Sequence, residues 1–459
     1  MRADPGLKPA FRAGTPDYAV RCAGHDRVRL AVTPPAGTRV AVGAGRSHAD
    51  AFDAAVKLVP GRAVRLRFTS HGRGRTYAIR CVPQDFPGWR TAIRGEREAA
   101  YYVVTPSRND HRPRYVIVFD RHGAPVWWMK GDPPPFNAQL LPDGNLAWTR
   151  WVFARDPSGF FEEHALDGTL VRTYNTVGIQ SNPHELRVLP DGSALLVAYR
   201  PRAGVDLSPW GGPPDATVLD GEVQELDPAG NLVWSWSTRD HVALAESARW
   251  FPKLLREPVQ VDGGHEAYDI VHLNSIERRG DRVVISLRHT DAVYEIDRRS
   301  GAIDWKLGGT HTSRSLEIRG DPLGARDFGG QHDARLIDAN TVSLFDNGTL
   351  RSDGTVRNRR ARVLAFRLDR SARTARLVRS FRRARRGGST CCGSARRLPK
   401  GNWVVSWGNS PYVGELTAAG RPVLTITLGG DLRSYRTFPV LPGELSRAAL
   451  RRGMDAQAP

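Results

Sequence analysis

Residues 224–234 read QELDPAGNLVW: a strand, a tight turn, then a second apolar strand ending in Trp. The same grammar returns as VFDRHGAPVW at 118–127 and YEIDRRSGAIDW at 294–305. Weaker copies stand at 162–171 (EEHALDGTLV), 366–378 (FRLDRSARTARLV) and 414–424 (GELTAAGRPVL). Aligned on the turn, Gly123, Gly168, Gly230, Gly301, Thr374 and Gly420 lie 45, 62, 71, 73 and 46 residues apart. One strand–turn–strand unit at uneven spacing fits β-propeller blades with loop insertions of different length. Six copies predict six blades.

A second hairpin alternates with the first: LLPDGNLAW (140–148), VLPDGSALLVAY (188–199), RRGDRVVIS (278–286), LIDANTVSLF (336–345) and RLPKGNWVVSW (397–407). Its Asp-Gly, Gly-Asp, Ala-Asn and Gly-Asn turns are good hairpin chemistry. AAYYVVTP at 99–106 is expected to open the first blade. Upstream, short alternating runs from DYAVRC to TYAIRC fill residues 17–83 and predict a small β-sandwich, with PQDFPGW at 83–89 as a linker. The expected organisation is all-β: an N-terminal β-sandwich over 1–88, a six-bladed β-propeller over 89–440, and a poorly packed tail over 441–459. Residues 239–262 break the grammar. Val242, Ala245, Ala248, Phe251 and Leu255 approximate helical spacing there, so the segment reads as an insertion between blades, either packing or a lid.

The second hairpin also exposes a column. Counting back eight residues from each turn reaches Phe136, His184, His272, His332 and Gly393. Equivalent strand starts in a propeller converge on one end of its axis, so three His at one address predict a shared site. Arg288 ends the strand after His272 and is expected at the same place, and Asn274 shares a face with His272 if that stretch is extended. Three His can bind zinc or copper, with Asp269, Glu185 or Asp333 behind them. An Arg beside them argues for an anion instead, since guanidinium repels cations and offers a fork of donors. A neutral imidazole can also act as a nucleophile. Trp127, Trp234 and Trp305 form another column, expected to pack between blades. Tyr199, Trp210 and Trp407 are candidates for an aromatic pocket.

The chain has 459 residues and a formal net charge of +19. No run of eighteen apolar residues occurs, which excludes a helical membrane span. Only six of its 67 cations are Lys. The densest basic run, RSARTARLVRSFRRARR at 370–386, has one aromatic, Phe381, and reads as a solvated strand face rather than a nucleic-acid footprint. Cys22 and Cys81 flank the β-rich start and are either a disulfide, implying an oxidising compartment, or two buried thiols. Cys391-Cys392 are adjacent, and their pairing stays open. The opening MRADPGLKPAFRAG has no apolar signal core, so either a signal was removed or the protein is cytoplasmic.

Several uncommon segments, HEL at 184–186, HLNSI at 272–276, SLRHTDAVYEID at 286–297, WKLGG at 305–309, QHDAR at 331–335 and SLFDNG at 343–348, resemble the bacterial arylsulfate sulfotransferases over roughly residues 95–430. The resemblance implies a six-bladed propeller with a small N-terminal β-sandwich. It implies ping-pong transfer of a sulfuryl group from an aryl sulfate to a phenol through a sulfohistidine, without nucleotide-activated sulfate, metal or other cofactor. By motif, His332 resembles the histidine that becomes sulfated. His272, Asn274, Arg288 and His184 resemble the residues that hold the sulfuryl group and assist the leaving group. Glu185 stands where relatives often carry Asp, and no motif matches an acceptor pocket. Partners are therefore expected to be small aryl sulfates and phenols, without nucleic acid, and the location extracytoplasmic. A metal-dependent hydrolase on the three His and a non-catalytic binding propeller are the alternatives.

Overall fold

Every copy of the first repeat folds as the hairpin between two outer strands of a sheet, and every copy of the second as the hairpin between two inner strands. The computed structural model describes all residues except 23–26, 109–113, 151–158, 262–263, 323–327, 353–354, 359, 383–388 and 459. Among the described residues the repeats build six sheets of four or five strands, antiparallel except where Glu317–Arg319 joins Thr374–Arg382 in parallel, and the chain is all-β apart from short helical turns and one terminal helix. No sheet closes on itself among the described residues.

The innermost strands are Arg433–Val440, Pro135–Leu140, Ser181–Val188, Leu273–Arg279, His332–Asp338 and Ser394–Arg397. Each packs against the next, and the last packs against the first. Apolar clusters fill the seams: Phe161, Leu186 and Leu196 between the second and third sheets, Val284, Trp305, Leu336 and Phe366 between the fourth and fifth. The Trp column behaves as expected, with Trp127 donating Nε1–H to Leu166 O and Trp234 to Arg298 O in neighbouring sheets.

The ends of this region interlock. Residues 99–106 supply one strand of the first sheet, Tyr101–Ser107, but its inner strand is Arg433–Val440 from the far end of the chain. The linker reading of 83–89 is also incomplete: Phe86 and Trp89 are buried, and Trp89–Ile93 adds a fifth strand to the sixth sheet. N-terminal strands form a three-stranded and a five-stranded sheet around Tyr18, Val20, Leu30, Leu66 and Ile79, tied by a Cys22–Cys81 disulfide.

The tail is not loose. Arg447–Gln457 is an α-helix capped by Ser446 Oγ, and its i, i+4 pair Leu450 and Met454 is buried beside Pro125–Lys130. Arg447 and Arg451 pair with Asp17, and Asp455 pairs with Arg65 and Arg80, so the helix ties the two ends together. A two-residue apolar stripe among so many charges is easily missed in sequence.

Candidate active site

The strand starts that carry the column are irregular. Register shifts interrupt pairing between Phe136 and Gln139, Ser181 and Leu186, Leu273 and Ser275, and His332 and Arg335. Left-handed backbone falls at Asn137, His272, Asp333 and Cys392. Such bulges re-aim side chains, and non-glycine residues hold this conformation only where the surroundings impose it. Gly393, the column member without a side chain, has φ +105°, and a Cβ there would lie 2.3 Å from the Phe345 ring.

The three column histidines meet. Ring centroids are 4.6 Å apart for His184 and His272, and 6.4 Å for His272 and His332. His332 is buried, and its Nδ1 faces two acceptors, Gly330 O at 3.0 Å and Asn347 Oδ1 at 2.8 Å. Nδ1 therefore carries the hydrogen, and Nε2 is the acceptor nitrogen, taking a long hydrogen bond from the Cys392 N–H at 3.3 Å. Burial, then the nearby charges of Arg288 and His272, holds this imidazole well below its ordinary range despite the Asn347 contact.

His184 hydrogen-bonds through Nδ1 to Asn182 Oδ1, and burial followed by His272 and His332 depresses it strongly. His272 pairs through Nδ1 with Asp269 Oδ2 at 2.5 Å. Its side chain is 22% exposed, which makes it the column histidine that reaches solvent. Because its backbone is left-handed, simple alternation with Asn274 starts only one residue later. Asn274 is fully buried, donates to Gln331 O at 2.9 Å, and leaves Oδ1 without a partner among the described residues.

Arg288 lies across the Trp250 ring at 4.4 Å, donates to His289 Nε2 and Thr390 O at 2.6 Å each, and leaves its Nε–H without a partner among the described residues. Burial lowers it to about 10, so it is still a cation at neutral pH. An unpartnered donor and an unpartnered acceptor, beside an imidazole nitrogen held only by one long backbone hydrogen bond, form a receptor suited to a polar ligand.

Beside His332 runs a buried ion network. Arg335, Arg396 and Arg436 converge on Asp333, and Arg335 and Arg436 also bind Glu185. Burial pushes the Asp333 carboxyl up, but the three guanidiniums overcome this and hold it well below the usual range. Glu185 thus supports arginines and the Ile276 N–H rather than the His184 ring, a role Asn182 takes. Arg288 is consequently one of several buried cations around the column.

Asp269, His272 and His289 place ligand atoms within 4.8 Å of one another. Both His289 nitrogens are engaged, Nδ1 donating to Asp269 O at 2.6 Å and Nε2 accepting from Arg288. A donor set filled from within and flanked by a guanidinium does not suit a cation.

Against this geometry, the sequence model of the arylsulfotransferase (ASST) family matches residues 167–429, more than half of the chain. The chain belongs to the arylsulfotransferase family. No curated protein matches it. Solved structures similar to it include a protein of unknown function from Bacteroides caccae, with 12% identity and TM-score 0.43 over 74% of this chain and 99% of that one. Another is a quinonprotein alcohol dehydrogenase-like protein from Bacteroides thetaiotaomicron, with 10% identity and TM-score 0.34 over 94% and 97%. A streptogramin B lyase shows 9% identity and TM-score 0.33 over 74% and 98%. These distant likenesses carry no argument about chemistry.

Membership of the arylsulfotransferase family supports a transferase acting on small aryl substrates. The residues singled out by the family resemblance, His184, His272, Asn274, Arg288 and His332, lie together, whereas WKLGG at 305–309 lies on an outer strand. Of the three aromatic candidates only Tyr199 does, 6.2 Å from both His184 and His272. Trp210 stacks on Phe251, and Trp407 meets Phe345 edge to face. Sequence reading missed Tyr435, which stacks on Phe136 at 4.5 Å, meets His184 and His332 edge to face, and has a buried hydroxyl without a partner among the described residues. It also missed Asn182 and Asn347, although one stands two residues before His184 and the other in the quoted SLFDNG.

Proposed function

We propose that this arylsulfotransferase-family protein moves a sulfuryl group from an aryl sulfate to a phenol through a sulfohistidine on His332, on a six-bladed propeller over 89–440 that follows a β-sandwich over 1–88. The observation that carries the reading is the fixed tautomer of His332: with Nδ1–H held by Gly330 and Asn347, Nε2 is the nucleophile. Nε2 attacks sulfur and forms an N–S bond as the S–O bond to the aryl group breaks. The phenolic oxygen takes a proton, for which His272, paired with the Asp269 carboxylate and open to solvent, is the donor. Arg288 Nε–H binds a sulfuryl oxygen and stabilises charge as it develops, while Asn274 and His184 complete the seat. An incoming phenol then reverses the sequence, giving its proton to His272 as the N–S bond breaks. The two disulfides, Cys22–Cys81 and Cys391–Cys392, support an extracytoplasmic location. The test is transfer from 4-nitrophenyl sulfate to phenol. His332→Asn is expected to abolish it, and full activity in that variant contradicts the assignment.

A further inference from the structure

The insertion between the third and fourth sheets is not a bare loop. Three short helical turns, Thr238–Asp240, Leu244–Ser247 and Phe251–Leu254, bring it onto the fourth sheet. Ser247 Oγ donates to Ile270 O at 2.6 Å, Glu246 accepts from Tyr294 Oη at 2.9 Å and from Lys306, and Phe251 stacks on Trp210. This anchoring holds Trp250, which is 2% exposed.

Trp250 touches two arms of the site. Its ring lies 4.4 Å from the Arg288 guanidinium and 4.7 Å from the His289 ring, and so backs the face of the cation. Its Nε1–H donates to Asp291 Oδ2 at 2.9 Å, and Asp291 Oδ1 accepts the Gly330 N–H at 2.8 Å. Gly330 O is one of the two acceptors that fix His332 Nδ1. Gly330 itself has no room for a side chain: a Cβ would lie 2.3 Å from Thr349 Oγ1 and 3.6 Å from the Trp250 ring. Arg288 makes two hydrogen bonds on one side and needs a rigid surface on the other to aim its remaining Nε–H.

We propose that the 238–257 insertion is the positioning element of the site, acting through Trp250, which orients Arg288 by its ring face. The proposal rests on the sulfuryl-transfer reading above. Trp250 touches no substrate and is a positioning residue, not a catalytic one.

The experiment is a double-mutant cycle with Trp250→Leu and Arg288→Ala, read on two quantities: the rate of sulfuryl loading from 4-nitrophenyl sulfate in a single turnover, and the Kd for inorganic sulfate. Trp250→Phe keeps a cation-binding face and controls for folding, together with the thermal midpoint of each variant. Trp250→Leu is expected to slow loading and weaken sulfate by about tenfold each. Trp250→Phe should stay within about threefold of the parent, and the double variant should be no worse than Arg288→Ala. Unchanged loading and sulfate binding in Trp250→Leu, or losses that multiply in the double variant, overturn the proposal. A parent protein that binds sulfate without becoming loaded contradicts the transfer reading instead, and the cycle on sulfate affinity still decides the role of Trp250.

Discussion

Asn347 Oδ1 accepts the Nδ1–H of His332 at 2.8 Å, across a strand pair that brings residues fifteen apart in sequence face to face. That contact, with Gly330 O behind it, sets which imidazole nitrogen has a lone pair to offer. Asn347 is itself held, donating to Ser389 Oγ and Cys392 O. Asn347→Leu removes the acceptor and frees the other tautomer. Sulfuryl loading is expected to fall about a hundredfold with little change in KM for the donor, measured by single-turnover and steady-state assays.

The pH profile follows from burial. His332 is depressed by its surroundings, so it stays neutral and nucleophilic far below the imidazole value of about 6.5. Loading from 4-nitrophenyl sulfate, whose phenolate needs little help from an acid, should therefore be flat from neutrality down through pH 6. Asn347→Asp puts a carboxylate on Nδ1 and favours the imidazolium. The acid limb of loading should move to higher pH, visible in a stopped-flow profile.

Stability has a related signature. His184, His289 and His332 all have folded values well below the unfolded one, with burial as the leading cause. Below about pH 6.5 the unfolded chain takes up protons that the folded chain refuses, so stability is complete above that pH and declines as pH falls. Thermal midpoints between pH 5 and 8 should fall on the acid side, and His289→Gln should flatten the slope.

Asp269→Asn tests the proton donor. Without its carboxylate, His272 loses the acceptor that holds its Nδ1–H and orients the ring toward the leaving phenolic oxygen. The loss should be about a hundredfold for donors whose phenol has a pKa near 10 and small for 4-nitrophenyl sulfate, giving a steeper dependence of rate on leaving-group pKa.

The ion network beside His332 should matter for folding more than for chemistry. Asp333 is fully buried and faces Arg335, Arg396 and Arg436. Asp333→Asn leaves three buried cations undercompensated and is expected to cost about 3–5 kcal/mol in chemical denaturation.

Much of this was legible in the sequence because hairpin turns leave a local record. Each of the six outer hairpins and five inner hairpins found by turn chemistry forms, and counting back from the inner turns led to His184, His272 and His332. Contacts that depend on distant pairing left no such record. The strand Arg433–Val440 joins the first sheet across the whole chain, and Trp89–Ile93 joins the sixth, with nothing local to announce either partner. Asn182 and Asn347 were hidden for a similar reason: a short amide side chain looks like turn chemistry until its imidazole partner is in place. The insertion was visible as a break in the grammar, yet only its docking revealed Trp250 against Arg288.

The most direct measurement is intact-mass analysis of the protein after exposure to an aryl sulfate with no acceptor, followed by mapping of the modified residue. The account predicts a gain of one sulfuryl group, located on Nε2 of His332, absent in His332→Asn and lost when phenol is added. A parent protein that releases phenol from the donor while never carrying the group, or one that carries it on another residue, would contradict the account.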